Sequence, residues 1–435
     1  MKFIFNKIVI KDNPNPKATM GFMCWNPFYY YVYKNIYKYL PEAEFIIGER
    51  RYLDPSLEKE NILRLAAFLN EKKVYWRFFN EEEALYFKKK FFKQYKAIVS
   101  ALTLRPSIFR GLVDDSILKI RVLYGNAKDL YNFGLWNADF NLILTFGPYS
   151  QKFLEVYTNA KIVGNPKFDD WFNDTIDPDT INQLTKRLNP VKKIILYLPT
   201  HDTQRGMSSL SRFLKENRSI IQNYNFILKL HHLTSLDEKE LVKELEKLKI
   251  YFFDERHDIL SLLKVADYVI SDNSGAIFDA ILANKKIILF DTSEKIFDKK
   301  IFIGNRGFSG LKTYPESLEQ VIKKQENAVG PVIQSFSELP AAISEADTKN
   351  AFFETNARQI CGRVFGYQDG GCGARAAAEI KKSVLSFFSD AWNKAFIFRV
   401  QERENLIIRG RLEMQNRAPL LTKLQLIWKD YFLEK

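Results

Sequence analysis

Short apolar runs alternate with longer segments of helical periodicity along most of the chain. Strands that alternate with helices in this way are typical of parallel strand–helix–strand units. The runs fall into two series. The first comprises 44–49, 74–79, 97–102, 120–125 and 140–147, and the second comprises 160–166, 193–200, 226–232, 249–253, 267–275 and 286–291. The pattern predicts an α/β protein with two Rossmann-like sheets.

The division into two series matches the chain length, because 435 residues exceed the usual size of one hydrophobic core. A polar stretch at 173–180 interrupts the apolar pattern after a Gly-Asn-Pro turn. We expect an N-terminal domain over 1–160, a C-terminal domain over 161–345 and a helical extension over 346–435. Two such domains place a ligand cleft where the carboxyl ends of their strands face each other.

The composition indicates a folded protein with anionic partners. Hydrophobic residues make up 46% of the chain, which argues against disorder, and the net charge is +13. The three cysteines are too few for a disulfide framework, so a reducing, cytosolic setting is expected. The first residues do not resemble a signal peptide, and no apolar run reaches the roughly 20 residues that span a bilayer. Any membrane contact is therefore expected to be peripheral.

A run of small polar residues follows the apolar strand near 267–271 and precedes a helical segment. Backbone N–H groups at such a strand-to-helix turn form an anion site, which suits a phosphate group. The alternative is an ordinary helix cap, since serine, aspartate and asparagine are the favoured capping residues. The residues in question are Ser271, Asp272, Asn273, Ser274 and Gly275.

Polar residues also follow two other predicted strands of the second series. Three of the four histidines follow predicted strand ends, which favours a functional role for at least one of His201, His231 and His232. A histidine or lysine at this edge suits contact with a diphosphate, whereas the alternative is a structural histidine or a simple turn. The residues expected to bind the donor at these strand ends are Thr200, His201, Arg205, Lys229 and His232.

In order and spacing these motifs resemble those of the CDP-glycerol glycerophosphotransferases, over about residues 120–345. Four motifs carry the resemblance: Gly164-Asn165-Pro166-Lys167 with Phe168-Asp169, Tyr197-Leu198-Pro199-Thr200, Lys229-Leu230-His231, and 271–275 with Phe278-Asp279. The resemblance implies a GT-B fold, with two Rossmann-like domains facing a cleft. It also adds Gly164, Asn165 and Asp279 to the expected donor site.

One motif departs from the family pattern. The family has His-Gly-Thr-Pro in its N-terminal domain, and the best match here begins with Tyr124-Gly125. A tyrosine with an ordinary pKa near 10 is a poor base at neutral pH. We assign catalytic roles to His231, Asp129 and Tyr124. Either Asp129 or another residue is expected to be the base, or the reaction and the acceptor differ from the family norm.

The resemblance implies that an acceptor hydroxyl attacks the β-phosphorus of CDP-glycerol, or of a related CDP-alditol, and that CMP leaves. Lys229, His231 and the turn at 271–275 would neutralise the diphosphate, and Thr200 would help to hold the nucleotide. No metal-ligand cluster stands out, so neither a metal nor another cofactor is required. The implied acceptor is a lipid-linked or polymeric glycan.

A lipid-linked acceptor would require a cytoplasmic enzyme at the inner face of the cell membrane. Lysines alternate with aromatic residues at 86–96, a pattern that suits anionic lipid and equally suits a helix packed on the sheet. The aromatic run at 27–40 and the basic tail at 399–429 allow the same two interpretations.

Three other functions compete with the main hypothesis. A UDP-sugar-dependent glycosyltransferase or epimerase would share the architecture, because fold does not fix function. A catalytically silent nucleotide-binding protein would explain Tyr124. Nucleic acid is disfavoured as a partner, because no recognised nucleic-acid-binding module is present.

Overall fold

A computed structural model of the chain describes residues 10–48, 55–79, 92–102, 104, 113, 116–127, 129–201, 208–216, 218–248, 250–292 and 318–387. Within these residues the fold consists of two parallel β-sheets, one of seven strands and one of six. Their strands are short and largely apolar, as expected for sheets that helices cover on both faces. The predicted α/β class with two Rossmann-like sheets is confirmed.

The first sheet has the strand order β3-β2-β1-β4-β5-β6-β7. Its strands are β1 (Met20–Cys24), β2 (Ala43–Gly48), β3 (Trp76–Phe79), β4 (Ala97–Ser100), β5 (Leu118–Val122), β6 (Leu142–Thr145) and β7 (Asn159–Ile162). The central strand β1 was not predicted, because it contains no β-branched residue and is interrupted by Gly21. A Cβ at Gly21 would lie 2.2 Å from Cδ1 of Ile46, so a larger residue there would displace the Ile46 side chain.

One predicted strand belongs to a different sheet from the one expected. The run at 160–166 was assigned to the second series, but β7 pairs with β6 and completes the first sheet. The helix Pro148–Leu154 connects β6 to β7 and returns the chain to the same sheet, as a parallel crossover requires. Apolar periodicity shows a strand but not its partner. The domain limits at 160 and 345 stay a prediction.

The second sheet has the strand order β10-β9-β8-β11-β12-β13. Its strands are β8 (Ile194–Leu198), β9 (Asn225–Lys229), β10 (Phe252–Phe253), β11 (Tyr268–Ser271), β12 (Lys286–Phe290) and β13 (Val332–Ile333). Five of these coincide with predicted runs. The two-residue strand β13 is too short to give an apolar pattern.

The helices of the described residues cover both sheets. They are α1 (Pro27–Tyr37), α2 (Pro55–Glu71), α3 (Asp129–Asn132), α4 (Pro148–Leu154), α5 (Asp169–Phe172), α6 (Pro178–Thr185), α7 (Leu210–Glu216), α8 (Arg218–Asn223), α9 (His232–Asp237), α10 (Lys239–Lys247), α11 (Ile259–Val265), α12 (Ala276–Leu282), α13 (Leu318–Val321), α14 (Leu339–Thr348), α15 (Asn350–Val364) and α16 (Cys372–Phe387). Short 3₁₀ turns occur at Phe92–Gln94, Leu135–Asp139, Pro166–Phe168, Gln325–Asn327 and Phe336–Glu338.

Helix α16 returns to the first half of the molecule and packs against α1 and the turn at 166–168. The buried carboxylate of Asp169 accepts hydrogen bonds from the backbone N–H groups of Cys372, at 2.9 Å, and Gly373, at 2.7 Å. These are two of the N–H groups that a helix leaves unpaired at its first turn. Burial raises the pKa of Asp169, and the two hydrogen bonds oppose this shift.

Two of the aromatic segments with a possible membrane role have aromatic residues that are buried inside the protein. In α1, Tyr29 and Tyr33 are buried. Of the run at 86–96, residues 86–91 lie outside the described residues, whereas Phe92 and Tyr95 are buried against the first sheet. The basic tail at 399–429 also lies outside the described residues. Among the described helices, none combines the length and the apolar composition needed to cross a bilayer.

Candidate functional site

The carboxyl ends of the two sheets meet at two turns. The chain turns through Gly125 and Ala127 after β5, and through Gly275 after β11. A Cβ on Gly275 would lie 3.7 Å from Cβ of Ala127 and 3.9 Å from Cα of Gly125. Open α/β sheets bind their ligands beyond the carboxyl ends of the strands. We therefore place the candidate site between these two turns.

Asp272 organises the strand ends of the second sheet. Its buried carboxylate accepts hydrogen bonds from the backbone N–H groups of Thr200, Ser209 and Asn273, at 2.6 to 2.8 Å. It also accepts one from the Ser209 hydroxyl at 2.9 Å. Burial raises the pKa of Asp272, and these hydrogen bonds lower it in part. Because its oxygens are engaged by the protein, Asp272 fixes the position of Thr200.

The other side chains of the turn at 271–275 also bond within the protein. The Ser271 hydroxyl donates to the carbonyl oxygen of Leu198 at 2.7 Å. The Ser274 hydroxyl accepts from the backbone N–H of Ala276 at 3.2 Å, although Ser274 precedes the N-cap residue of α12, Gly275. Asn273 accepts from the Lys323 ammonium at 2.9 Å. These side chains are therefore hydrogen-bonded within the protein, and both the phosphate-binding and the capping interpretation of the turn stay open.

Lys229 ends β9 and is held by the next strand of the sheet. Its ammonium donates to the carbonyl oxygen of Asp254 at 2.6 Å. Burial lowers the pKa of Lys229 to about 8, and the carboxylates of Glu255 and Asp254 oppose this shift. The lysine is therefore mostly protonated at neutral pH, and a bound anion would raise its pKa back towards the ordinary value.

His231 has a defined tautomer. Its Nδ1 accepts a hydrogen bond from the backbone N–H of Leu233 at 3.2 Å and thereby caps α9. An accepting Nδ1 carries no proton, so the neutral ring carries its proton on Nε2. Nε2–H is consequently a hydrogen-bond donor at the carboxyl end of β9.

A row of rings crosses from the second sheet to the first. The rings of His201 and His231 are 5.8 Å apart, and those of His231 and His232 are 4.2 Å apart. His232 stacks on Phe28 of α1 at 4.6 Å, and Phe28 contacts Tyr124 edge-on at 6.2 Å. The row places Tyr124 and His231 in one cluster that spans the two strand edges.

His201 and Asp129 are engaged by neighbouring side chains. Nδ1 of His201 lies 2.7 Å from a carboxylate oxygen of Glu238. The Asp129 carboxylate accepts from the Tyr149 hydroxyl at 2.5 Å and from the backbone N–H of Leu318 at 3.2 Å. These bonds hold Asp129 at the start of α3. Both bonds use the same oxygen, Oδ2, and one of them connects Asp129 to the Tyr149 hydroxyl.

A buried ion pair joins the two halves beside the site. The Lys167 ammonium lies 2.5 Å from the Asp279 carboxylate, and the two side chains are only 5% and 13% exposed. Burial raises the pKa of Asp279, and Lys167 opposes this shift. Gly164 has a φ of +87°, and the Asn165 side chain accepts from the backbone N–H of Lys167. Gly164, Asn165 and Asp279 thus form the junction between the two sheets.

Further polar contacts between the halves were not anticipated from the sequence. Lys34 of α1 pairs with Asp170 and Asp258, at 2.6 and 2.9 Å. Arg64 of α2 pairs with Asp254 at 2.6 Å. Although burial alone would raise it, hydrogen bonds from His257 and Arg256 hold the pKa of Asp254 below its ordinary value. These contacts fix α1 and α2 against the second sheet. Their sequence signal is the charged run that follows β10.

The described residues contain no cluster of three or more histidine, cysteine, aspartate or glutamate side chains that could hold a metal ion.

Comparison with known proteins assigns the family. Residues 147–382 match the model of the CDP-glycerol:poly(glycerophosphate) glycerophosphotransferases, which is more than half of the chain. The chain belongs to this family. It is an enzyme of the CDP-glycerol glycerophosphotransferase type, as the motifs predicted. No curated protein matches this glycerophosphotransferase at a significant level.

Solved structures support the fold of this glycerophosphotransferase. The wall teichoic acid polymerase TagF is 16% identical, with a TM-score of 0.54 over 86% of this chain and 90% of that chain. A structure of MnaA from S. aureus with UDP is 10% identical, with a TM-score of 0.53 over 85% of this chain and 98% of that chain. At these identities the similarity concerns the fold, and it confirms the predicted GT-B type.

The structure brings some predicted site residues of the glycerophosphotransferase together. Tyr124, His231 and His232 share the ring row, and Thr200 is fixed by Asp272. Asp129 is bonded to Tyr149. Arg205 lies outside the described residues. The donor-binding roles of these residues stay predictions.

Two residues of the site were missed. Phe28 connects Tyr124 to His232, and Asn126 lies on the turn that faces Gly275. Phe28 is one of several aromatic residues in a helical pattern, so the sequence did not distinguish it. Asn126 stands at the third position of the motif that begins with Tyr124, which was its only signal.

Proposed function

We propose that this glycerophosphotransferase transfers glycerol phosphate, or a related alditol phosphate, from a CDP-activated donor to a hydroxyl group of a lipid-linked or polymeric glycan. Synthesis of a teichoic-acid-like polymer is the proposed setting. The observation that carries the proposal is the imidazole of His231, held by its Nδ1 at the carboxyl end of β9 in an enzyme of this family. A related TagF structure was soaked with CDPG, which supports the donor class.

The proposed reaction is a phosphoryl transfer in which one bond forms and one breaks. The acceptor oxygen attacks the β-phosphorus of CDP-glycerol, and the bond from that phosphorus to the bridging oxygen breaks. CMP leaves with the electron pair of that bond, and the acceptor hydroxyl loses its proton. Catalysis of such a transfer consists mainly of positioning and charge stabilisation.

The strand-end residues suit charge stabilisation. The Nε2–H of His231 would donate to a phosphate oxygen, and the ammonium of Lys229 would add positive charge beside it. Thr200 would contact the nucleotide from the position that Asp272 gives it. Because neutral His231 is a donor at Nε2, it suits the leaving phosphate better than the attacking hydroxyl. Asp129, through the Tyr149 hydroxyl, is the proposed proton acceptor.

Calorimetric titration of the purified protein with CDP-glycerol, CDP, UDP and a UDP-sugar tests the donor. We expect CDP-glycerol to bind most tightly and the His231→Asn variant to bind it more weakly. Release of CMP is then measured with a polymeric acceptor and with a lipid-linked acceptor in anionic vesicles. Preference for UDP or a UDP-sugar would overturn the proposal in favour of a sugar-transferring or epimerising enzyme. Binding without CMP release from any acceptor would indicate a silent binding protein.

Donor affinity should fall as the pH rises through the pKa of Lys229. That pKa is lowered to about 8, so the ammonium loses its charge at a pH where an ordinary lysine keeps it. We expect the dissociation constant for CDP-glycerol to increase between pH 7 and pH 9.5 in the wild type. The Lys229→Arg variant keeps its charge in this range and should show a flat profile. Equal slopes in both proteins would exclude Lys229 from the donor site.

The acceptor would place the enzyme at the cytoplasmic face of the membrane. The net charge of +13 supports attraction to anionic lipid headgroups, as it would to any anionic partner. The experiment above tests this when neutral vesicles are included. The enzyme should use a lipid-linked acceptor less efficiently in neutral vesicles than in anionic vesicles.

A further inference from the structure

Asn126 carries a buried amide that the protein itself does not satisfy. The residue is 2% exposed. Among the described residues no donor or acceptor pairs with its Nδ2 or its Oδ1. Buried polar groups are nearly always hydrogen-bonded, because an unpaired group loses its contacts with water without compensation. An amide with both atoms unpaired therefore lowers the stability of the ligand-free protein.

The position of Asn126 coincides with the meeting point of the two sheets. It lies between Gly125 and Ala127, which face Gly275 across the candidate site. No described atom lies within 4 Å of where a Cβ on Gly125 would stand, so the turn has open space on that side. Tyr124, a member of the ring row, is two residues away.

Another buried asparagine of the same segment has a side-chain amide that is hydrogen-bonded within the protein. The Asn132 side chain is also buried, at 3% exposure. Its Oδ1 accepts from the Arg121 guanidinium at 3.1 Å, and its Nδ2 donates to the carbonyl oxygen of Ala127. Both polar atoms of the Asn132 amide are thus hydrogen-bonded within the protein, whereas among the described residues those of Asn126 have no partner.

We propose that Asn126 is a ligand-binding residue whose side-chain amide forms its hydrogen bonds with a polyol phosphate. Its Oδ1 accepts a hydrogen bond from a polyol hydroxyl, and its Nδ2 donates one to a phosphate oxygen. An amide suits this ligand class, because it offers one acceptor and two donors without charge. This inference rests on the proposed function for the identity of the ligand, which is either the glycerol phosphate of the donor or the end of the acceptor chain.

Two substitutions separate ligand binding from a structural role. Asn126→Leu removes both polar atoms at similar size, and it should raise the melting temperature of the ligand-free protein by roughly 2 °C. Asn126→Asp keeps the shape but places a negative charge in a buried position, so it should lower the melting temperature. Both variants should lose ligand affinity by about 10-fold or more, because neither can donate to a phosphate. Asn132→Leu is the matched control and should only lower the melting temperature.

Whether the donor or the acceptor supplies the polyol phosphate is decided by which value changes, the donor affinity or the KM for the acceptor. If the donor supplies it, the affinity for CDP-glycerol falls in both Asn126 variants while the affinity for CMP, which lacks the β-phosphate, stays the same. If the acceptor supplies it, donor affinity stays the same and the KM for the acceptor rises. Glycerol 3-phosphate alone is a third probe, which should raise the melting temperature of the wild type more than that of Asn126→Leu.

The two proposals fail in different ways. A wild type that does not bind CDP-glycerol would overturn the proposed function, while the response to glycerol 3-phosphate would still report on Asn126. The inference itself is wrong if Asn126→Leu lowers the melting temperature as Asn132→Leu does. It is also wrong if Asn126→Leu leaves donor affinity, acceptor KM and the response to glycerol 3-phosphate at wild-type values.

Discussion

Replacing His231 with asparagine is expected to lower the rate of transfer by about 100- to 1,000-fold while the protein stays folded. The asparagine side chain can still accept the hydrogen bond from the backbone N–H of Leu233, because asparagine is among the best capping residues. The substitution therefore removes the imidazole and its Nε2–H donor but keeps the start of α9. Steady-state CMP release and the melting temperature are the two measurements.

Two further variants make this result specific. His231→Ala removes both the imidazole and the cap, so it should match the loss of rate and also lose about 1 kcal/mol of stability. His257→Asn alters a histidine that is 45% exposed and should retain wild-type transfer. Transfer at the wild-type rate in folded His231→Asn would remove His231 from the mechanism.

Replacing Lys167 with methionine is expected to lower the free energy of unfolding by about 3 to 5 kcal/mol at neutral pH. The change leaves the Asp279 carboxylate buried without its partner. Urea denaturation of the wild type and the variant measures the difference. Lys286→Met is the matched control, because its ion pair with Asp347 has the same length of 2.5 Å but is 39% and 45% exposed. Solvent screening should limit that loss to about 1 kcal/mol or less.

The pH dependence of the Lys167→Met deficit has a definite sign. Burial already raises the pKa of Asp279 above its ordinary value, and loss of Lys167 raises it further. The folded variant therefore favours the neutral acid, and the penalty appears as the pH rises through the raised pKa. The deficit should be smaller at pH 4.5 than at pH 8. A deficit of equal size at both values would show that lost packing, and not an unpaired charge, is the cause.

The strands could be predicted because each is a short apolar run between polar turns. This signal fails where the apolar pattern is incomplete, as in β1, whose Gly21 packs against Ile46. It also fails to identify partners, as for β7, because pairing depends on contacts between distant segments. Sequence periodicity thus predicts the elements better than it predicts which sheet contains them.

A candidate site could be placed from the sequence because the carboxyl ends of parallel strands lie at the same edge of a sheet. The roles of individual side chains could not, since the same residue types bind ligands and satisfy the fold. Asp272 is engaged by Thr200 and Ser209, and Lys167 pairs with Asp279, 112 positions away. Such long-range pairs leave no local pattern. Only the three-dimensional structure distinguishes a side-chain amide that is hydrogen-bonded within the protein from one that is not.

The hydrogen bonds from α16 to Asp169 have a consequence for synthesis on the ribosome. The first sheet is complete once residue 162 has emerged, yet Asp169 must wait for donors at Cys372 and Gly373, which are 203 and 204 positions later. Domains tend to fold in order of emergence. Here the face of α1 that α16 covers stays exposed until nearly the whole described chain has been made. We therefore expect the nascent first half to expose this face throughout synthesis, and a chain that ends before residue 372 would lack the helix that covers it.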